Sequence, residues 1–360
     1  MIRTQAGIHN VLSLASEWFL GSGIQEPEGG VARFYMTEPG RNARISTEIT
    51  GYAISALVYL HRRLDDFRCL EAARAAASFL VRRAWDPALE VFPFECPGAL
   101  AYFFDSGIIA RGLLTLWRVT PEGEWLDAAI AAGRSMLRCF VHPGGVHPII
   151  ELPGCQPRPH DGNWSRRPGC YQLKAAMAWQ DLYEVTGERE FLEAYEMALR
   201  RSLATHDEFL PGAVDQQMVM DRLHAYCYFL EGMLPRYSDP ACAAAVREGI
   251  AKVAAFLRDI APSFERSDVA AQLIRVRLYA DRLGVAPLDR EAALEELARL
   301  LKFQREDPDP ARHGGFWFGA KGGDLLPYVN PVSTAFGLQA ADMWRRAEAE
   351  EFPANRHELI

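Results

Sequence analysis

No apolar run in this chain approaches the roughly 20 residues that a membrane span requires, so no span is expected. The opening MIRTQAGIHN has no positively charged start followed by an apolar core, so no secretory signal is read there. Cysteine is sparse and scattered. Cys69, Cys96, Cys139, Cys155, Cys170, Cys227 and Cys242 are odd in number and form no CxxC pair. That usage points to reduced, mostly buried thiols and a cytoplasmic location. HExxH is missing. His142, His147 and His160 share one stretch but match no common zinc spacing, so no metal is expected. There is no P-loop, dinucleotide fingerprint or GxSxG elbow, and GAKGG at 319–323 lacks the Walker spacing, so no cofactor is expected either. Positive charge is also in deficit. A net charge of −8 and a pI of about 5.7 argue against a nucleic-acid partner.

What is present is a repeat. The stretch from Gly314 to Trp344, GGFWFGAKGGDLLPYVNPVSTAFGLQAADMW, is a glycine-rich aromatic loop feeding a nearly apolar helix, predicted to start at Ser333/Thr334. Variants recur about six times along the 360 residues, with a period of roughly 45–65. Nearly uncharged helices are predicted over 48–60, 106–117, 171–183, 223–234, 269–280 and 334–344. A helix apolar on almost all sides is a buried one. The fifth fits least well, because Arg275 and Arg277 lie inside it. Between them stand amphipathic, well-charged helices, over 6–20, 67–84, 124–139, 189–206, 239–258 and 289–304. Links from buried to amphipathic helices are short. The reverse links, at 21–47, 85–105, 140–170, 207–222, 259–268 and 305–333, are mostly long and rich in Gly, Pro and aromatics. In an antiparallel alternation the long links share one rim, and loops of that length are usually functional. The pairs Gly29-Gly30, Gly144-Gly145 and Gly314-Gly315 echo one another within them.

This pattern resembles the six-hairpin (α/α)6 toroid superfamily, which includes glycoside hydrolases, unsaturated-uronyl hydrolases, sugar epimerases and some polysaccharide lyases. The resemblance is architectural and covers nearly the whole chain. It implies an all-α fold with a single double-ringed domain over 1–350, followed by a tail at 351–360. Prenyltransferase and triterpene-cyclase toroids share the double ring, but they usually carry an Asp-rich motif that is missing here.

Polar residues concentrate where long loops meet buried helices. Helix N-termini there offer free N–H groups and positive dipole ends to a polyhydroxylated or anionic ligand. Asp105 follows three aromatics at a helix start. It reads either as a cap or as a general acid whose pKa desolvation raises. Glu48 has a capping-box look, with Ser46 or Thr47 as the cap. His160 and Asp161 can form an oriented base, Trp164 can stack on a sugar face, and Arg166 can hold a carboxylate. Arg222, His224, Asp268, Trp317, Tyr328 and Asn330 complete the set. The expectation is a glycoside hydrolase acting on a short, acidic oligosaccharide, with Asp105 as acid, Asp161 or Glu48 as its partner, and His160 and His224 shuttling protons. The substrate-binding residues are Trp164, Arg166, Arg222, Asp268, Trp317, Tyr328 and Asn330. Three other readings are a sugar epimerase or lyase using His160, His224 and Tyr328, a non-catalytic toroid binding a glycan or a partner protein, and an isoprenoid-type toroid.

Overall fold

The computed structural model describes residues 5–95, 98–160, 163–210, 216–261 and 263–360, with the backbone alone at 5–9, 164, 216 and 217. In chain order its α-helices are α1 (Gln5–Gly21), α2 (Thr47–Leu64), α3 (Phe67–Phe79), α4 (Phe103–Trp117), α5 (Gly123–Phe140) and α6 (Gln172–Thr186). Then follow α7 (Arg189–Thr205), α8 (Gln216–Gly232), α9 (Pro240–Ile260), α10 (Ser267–Arg282), α11 (Arg290–Leu300) and α12 (Pro331–Glu348).

The even-numbered helices form the inner ring. Every residue of α6 from Gln172 to Leu182 is buried, as is every residue of α10 from Ser267 to Ala280. The odd-numbered helices bury one stripe. On α5 it runs through Trp125, Ala129, Ala132, Met136 and Phe140, the three- and four-residue spacing of an amphipathic helix. Inner helices pack in sequence, α2 on α4 and so on to α10 on α12, and α12 returns to α2, which closes the ring. The two arginines of α10 are matched rather than exposed. Arg275 pairs with Glu231 of α8, and Arg277 reaches Glu296 of α11 at 2.8 Å.

Short antiparallel pairings sew the long loops together at the end where inner helices begin. Tyr35–Met36 pairs with Tyr328–Val329, Leu100–Tyr102 with Ile149–Glu151, and Phe264–Arg266 with Gly319–Lys321. The echoed glycines explain how these loops are seated. Gly29, Gly145 and Gly314 all have positive φ. Each lies against the next outer helix round the ring, at Ala75 of α3, Arg201 of α7 and Leu14 of α1. At Gly29 and Gly314 a Cβ would strike a backbone carbonyl, so only glycine serves there.

At the opposite end, residues after 350 lie against the inner ring. Phe352, Leu359 and Ile360 are buried. Arg111 donates to the Leu359 carbonyl at 3.0 Å and Lys174 to that of Ile360 at 2.9 Å.

Three local expectations are corrected. Helix α12 does not start at Ser333/Thr334. Asn330 is its cap, with its side-chain oxygen accepting from Val332 and Ser333 amides at 2.8 and 3.1 Å, and Pro331 fits the first turn because it lacks an N–H. Asn330→Ala is expected to cost about 1 kcal/mol of stability in urea unfolding. Glu48 makes no capping box, because Ser46 is the cap and the third helical position is therefore Ile49. Cys139 and Cys155 are not reduced thiols. They form a disulfide across a Cα–Cα distance of 5.4 Å, tying the end of α5 to the mouth loop that follows it. Cys69, Cys170, Cys227 and Cys242 are free and buried, and Cys96 lies outside the described residues.

Candidate active site

Side chains four residues apart on a helix lie on one face. The inner helices use this spacing to set an ionisable group above an aromatic or amide one. Helix α2 carries Glu48 over Tyr52, α8 carries His224 over Tyr228, and α10 carries Asp268 over Gln272. Tyr228 is the hub. Its ring centroid is 4.8 Å from that of Phe104, 4.5 Å from that of His224 and 6.3 Å from that of Phe336. Phe336 lies 5.4 Å from Tyr52, and the Arg275 guanidinium sits 3.9 Å over its ring. In a ring of six, α2 and α8 stand opposite each other. This cluster therefore crosses the axis and floors the mouth, with Glu48, Asp105 and His224 on its open side.

Asp105 is in the first turn of α4, whose cap position is Tyr102, and its carboxylate accepts from its own backbone amide rather than in the usual cap geometry. It is buried, and one of its carboxylate oxygens has no hydrogen-bond partner. Burial pushes its pKa well above the usual carboxylate range. The neighbouring Glu48 charge adds to that shift, and Arg33 opposes it. Glu48 is half-buried by surface area but enclosed by protein on most sides. Burial lifts it to about 7, against the pull of Arg33. Burial and the Glu48 charge thus both favour the protonated form of Asp105, while Glu48 stands near half-ionisation at neutral pH.

The Nδ1 of His224 lies 2.8 Å from Gln272 Oε1 and 3.3 Å from Asp268 Oδ2. Both neighbours accept, so Nδ1 carries the hydrogen and Nε2 keeps its lone pair. Burial pushes His224 down to about 4, partly offset by Asp268, so the ring is neutral at pH 7. Burial would raise Asp268, but Arg266 holds it below the usual range through contacts of 2.6 and 3.0 Å, helped by the Val269 amide at 2.9 Å. Arg266 also pairs with Asp221 at 2.7 Å and lies 4.5 Å over the Phe318 ring.

No protein-family model matches the chain, and no curated protein matches it by sequence. Solved structures do match it by shape. A sugar epimerase from a ruminal bacterium superposes with a TM-score of 0.72 at 11% identity, covering 94% of this chain and 98% of that one. Cellobiose 2-epimerase from Spirochaeta thermophila gives 0.71 at 16% identity, covering 93% and 97%. An unsaturated glucuronyl hydrolase from Streptococcus agalactiae gives 0.68 at 13% identity, covering 96% and 94%. The chain has the (α/α)6 toroid fold. Hydrolase and epimerase neighbours share that fold, so the reaction has to be argued from this toroid's own residues.

The toroid brings four of the sequence-predicted residues together at its floor: Glu48, Asp105, His224 and Asp268. Tyr328 stands above them in the mouth, 5.0 Å from Phe34 and 6.5 Å from Phe318, ring to ring. Phe94 and Tyr102 stack at 4.4 Å, and Arg44 covers Phe94 at 4.6 Å while pairing with Glu95. Trp317 is half-buried against the core, and its carbonyl accepts from the Ser267 hydroxyl at 2.7 Å, so it braces the loop. Asn330 is occupied as a cap. His160 is exposed and bonded at 3.2 Å to the carbonyl of Arg166, itself exposed. Asp161 and the Trp164 side chain lie outside the described residues. Arg222 lines a separate cavity, where it donates to the Phe209 carbonyl at 3.3 Å.

Sequence reading missed Arg33, Tyr52, Tyr228, Gln272 and Phe336. Three of these were within reach, because Tyr52, Tyr228 and Gln272 each stand four residues after a named candidate. Arg33 carried no such signal. Among the described residues, the grouping that could hold a metal ion, Asp181, Glu184 and His357, is at the closed end. Arg111 and Arg356 already pair with Asp181 there.

Proposed function

We propose that this toroid is a carbohydrate-active enzyme that hydrolyses a glycosidic bond in a short oligosaccharide. Asp105 acts as general acid and Glu48 as its anionic partner. One observation carries this reading: two carboxyl groups in the first turns of neighbouring inner helices stand close enough for the Glu48 charge to raise Asp105, and burial raises both against the pull of Arg33. Glycoside hydrolysis uses two such groups, one protonated and one ionised. Asp105 gives its proton to the leaving-group oxygen as the bond breaks. Glu48 loses its proton first and faces the developing positive charge on the sugar ring. Whether it attacks carbon or activates water is read from the anomer released, by NMR of the fresh product. The aromatic pairs in the mouth supply flat apolar surface for pyranose rings.

The active form has Glu48 ionised and Asp105 protonated. The acid limb of a kcat/KM profile should therefore fall near pH 7, with the alkaline limb higher. Arg33 stabilises the Glu48 carboxylate, so Arg33→Gln should move the acid limb upward by about one pH unit. An unmoved limb would remove Arg33 from the pair. The test of function is release of reducing sugar from a disaccharide panel that includes uronate-bearing members.

A second reading has its own observation. Neutral His224, with Nε2 left free, is suited to taking a proton beside a carbonyl, as an epimerase requires. Solvent deuterium at a ring carbon of the product would favour it over hydrolysis.

A further inference from the structure

A cavity of about 380 Å³ opens among the hairpin 141–146, the residues leading into α6, one face of α7 and the start of α8. None of its lining residues belongs to the aromatic floor or to the Glu48–Asp105 pair. The volume falls within the range of small-molecule sites.

The lining is chemically lopsided. Arg167, Arg201 and Arg222 face it together with His142, and Glu208 is the sole acid. This is a concentration of positive charge on a protein with a net charge of −8. Two buried polar atoms at the cavity have no partner: the Nε of Arg222 and the Oε1 of Gln172, whose side chain is only 4% exposed. Buried polar atoms are normally satisfied, and each one left unpaired costs free energy that a ligand would recover. The unpaired donor is a guanidinium N–H, suited to an oxyanion, and the unpaired acceptor is a side-chain amide oxygen, suited to a hydroxyl.

We infer that this cavity is a second binding site of the toroid, for a small hydroxylated ring bearing a carboxylate or a phosphate. Arg201 and Arg222 hold the anion and Gln172 accepts from a ring hydroxyl. The sugar part of this assignment rests on the carbohydrate reading above, while the anion part stands on the cavity alone.

The test is calorimetric titration of the whole protein with glucuronate, glucose 6-phosphate, inorganic phosphate and glucose. Glucuronate or glucose 6-phosphate should bind, more weakly as salt rises, while glucose at the same concentration does not. The tighter of the two identifies the anion. Arg222→Gln, and separately the exposed and therefore fold-safe Arg201→Gln, should each weaken that binding about tenfold. Asp105→Asn should leave it unchanged, which keeps this site's fate distinct from that of the hydrolase reading. Inorganic phosphate binding as tightly as either sugar would overturn the sugar part. Absence of binding, binding indifferent to both arginine variants, or binding lost in Asp105→Asn would overturn the site.

Discussion

Glu48→Gln is expected to cut hydrolysis by orders of magnitude and, at pH 8, to make the protein more stable. The folded chain holds the Glu48 proton up to about pH 7, whereas an unfolded glutamate releases it near 4.5. Raising the pH between those values therefore favours the unfolded state. The stability present below pH 4.5 is lost progressively up to about pH 7 and stays lost above it. A shift of that size corresponds to about 3 kcal/mol, and solvent reaching a half-buried group brings the expectation to about 1–3 kcal/mol. Glu48→Gln removes the penalty, so its advantage in melting temperature should be a few degrees at pH 8 and vanish near pH 4.5. Asp105→Asn should behave in the same direction, because burial and the Glu48 charge raise its pKa as well. Turnover should fall by about 10²–10⁴ in either variant. A gain in stability with a loss of activity is the pattern of a site that strains the fold. Variants that lost both, or lost stability alone, would make these carboxyls structural.

The second large effect is at the other end of the toroid. Glu231 is fully buried on α8 between Lys174 of α6, at 2.9 Å, and Arg275 of α10. Burial would raise its pKa, but Arg275 and Lys174 outweigh that and keep it ionised. Glu231→Ala leaves buried Arg275 without its carboxylate, while Lys174, which burial already lowers to about 7 against the pull of Glu231, sheds its proton. Each keeps only the Ile360 oxygen in common, at 3.4 and 2.9 Å. Loss of one partner from a buried charge set costs about 3–5 kcal/mol, because the remaining charge is uncompensated. Chemical denaturation should show that loss directly. Lys174→Met should cost less, since Arg275 still answers Glu231. Equal costs would mean that the three groups do not act as one set.

The ring was readable from sequence because its evidence is periodic. Helices apolar on every side alternate with striped ones, and long links alternate with short ones, so even the mouth could be inferred. Repeated glycines carried more than expected, since Gly29, Gly145 and Gly314 each seat their loop on the next outer helix round the ring. The residues of the candidate site were only partly legible as neighbours. Glu48, Asp105, His224 and Asp268 stand at inner helix starts or a few turns in, where a linear reading can find them. Arg33 was not legible, because it reaches the pair from a loop and no spacing announces it. The cap at Asn330 was read as a ligand contact, because a cap and a ligand donor set look alike until hydrogen bonds are seen. Arg222 was assigned to the main mouth because a sequence orders residues along the chain and not around an axis. The Cys139–Cys155 pair was invisible for a similar reason, since a 16-residue separation gives no sign that a turn brings the two together.

The proposed acid–base pair requires Asp105 to keep its proton at neutral pH while Glu48 titrates near pH 7. Difference infrared spectroscopy of the carboxyl C=O stretch tests it without any substrate. At pH 7.5 the wild-type protein should show a protonated-carboxyl band that disappears in Asp105→Asn, and a second band lost in Glu48→Gln should titrate away near pH 7. A spectrum with no protonated carboxyl at pH 7.5, or one whose band survives Asp105→Asn, would contradict the account.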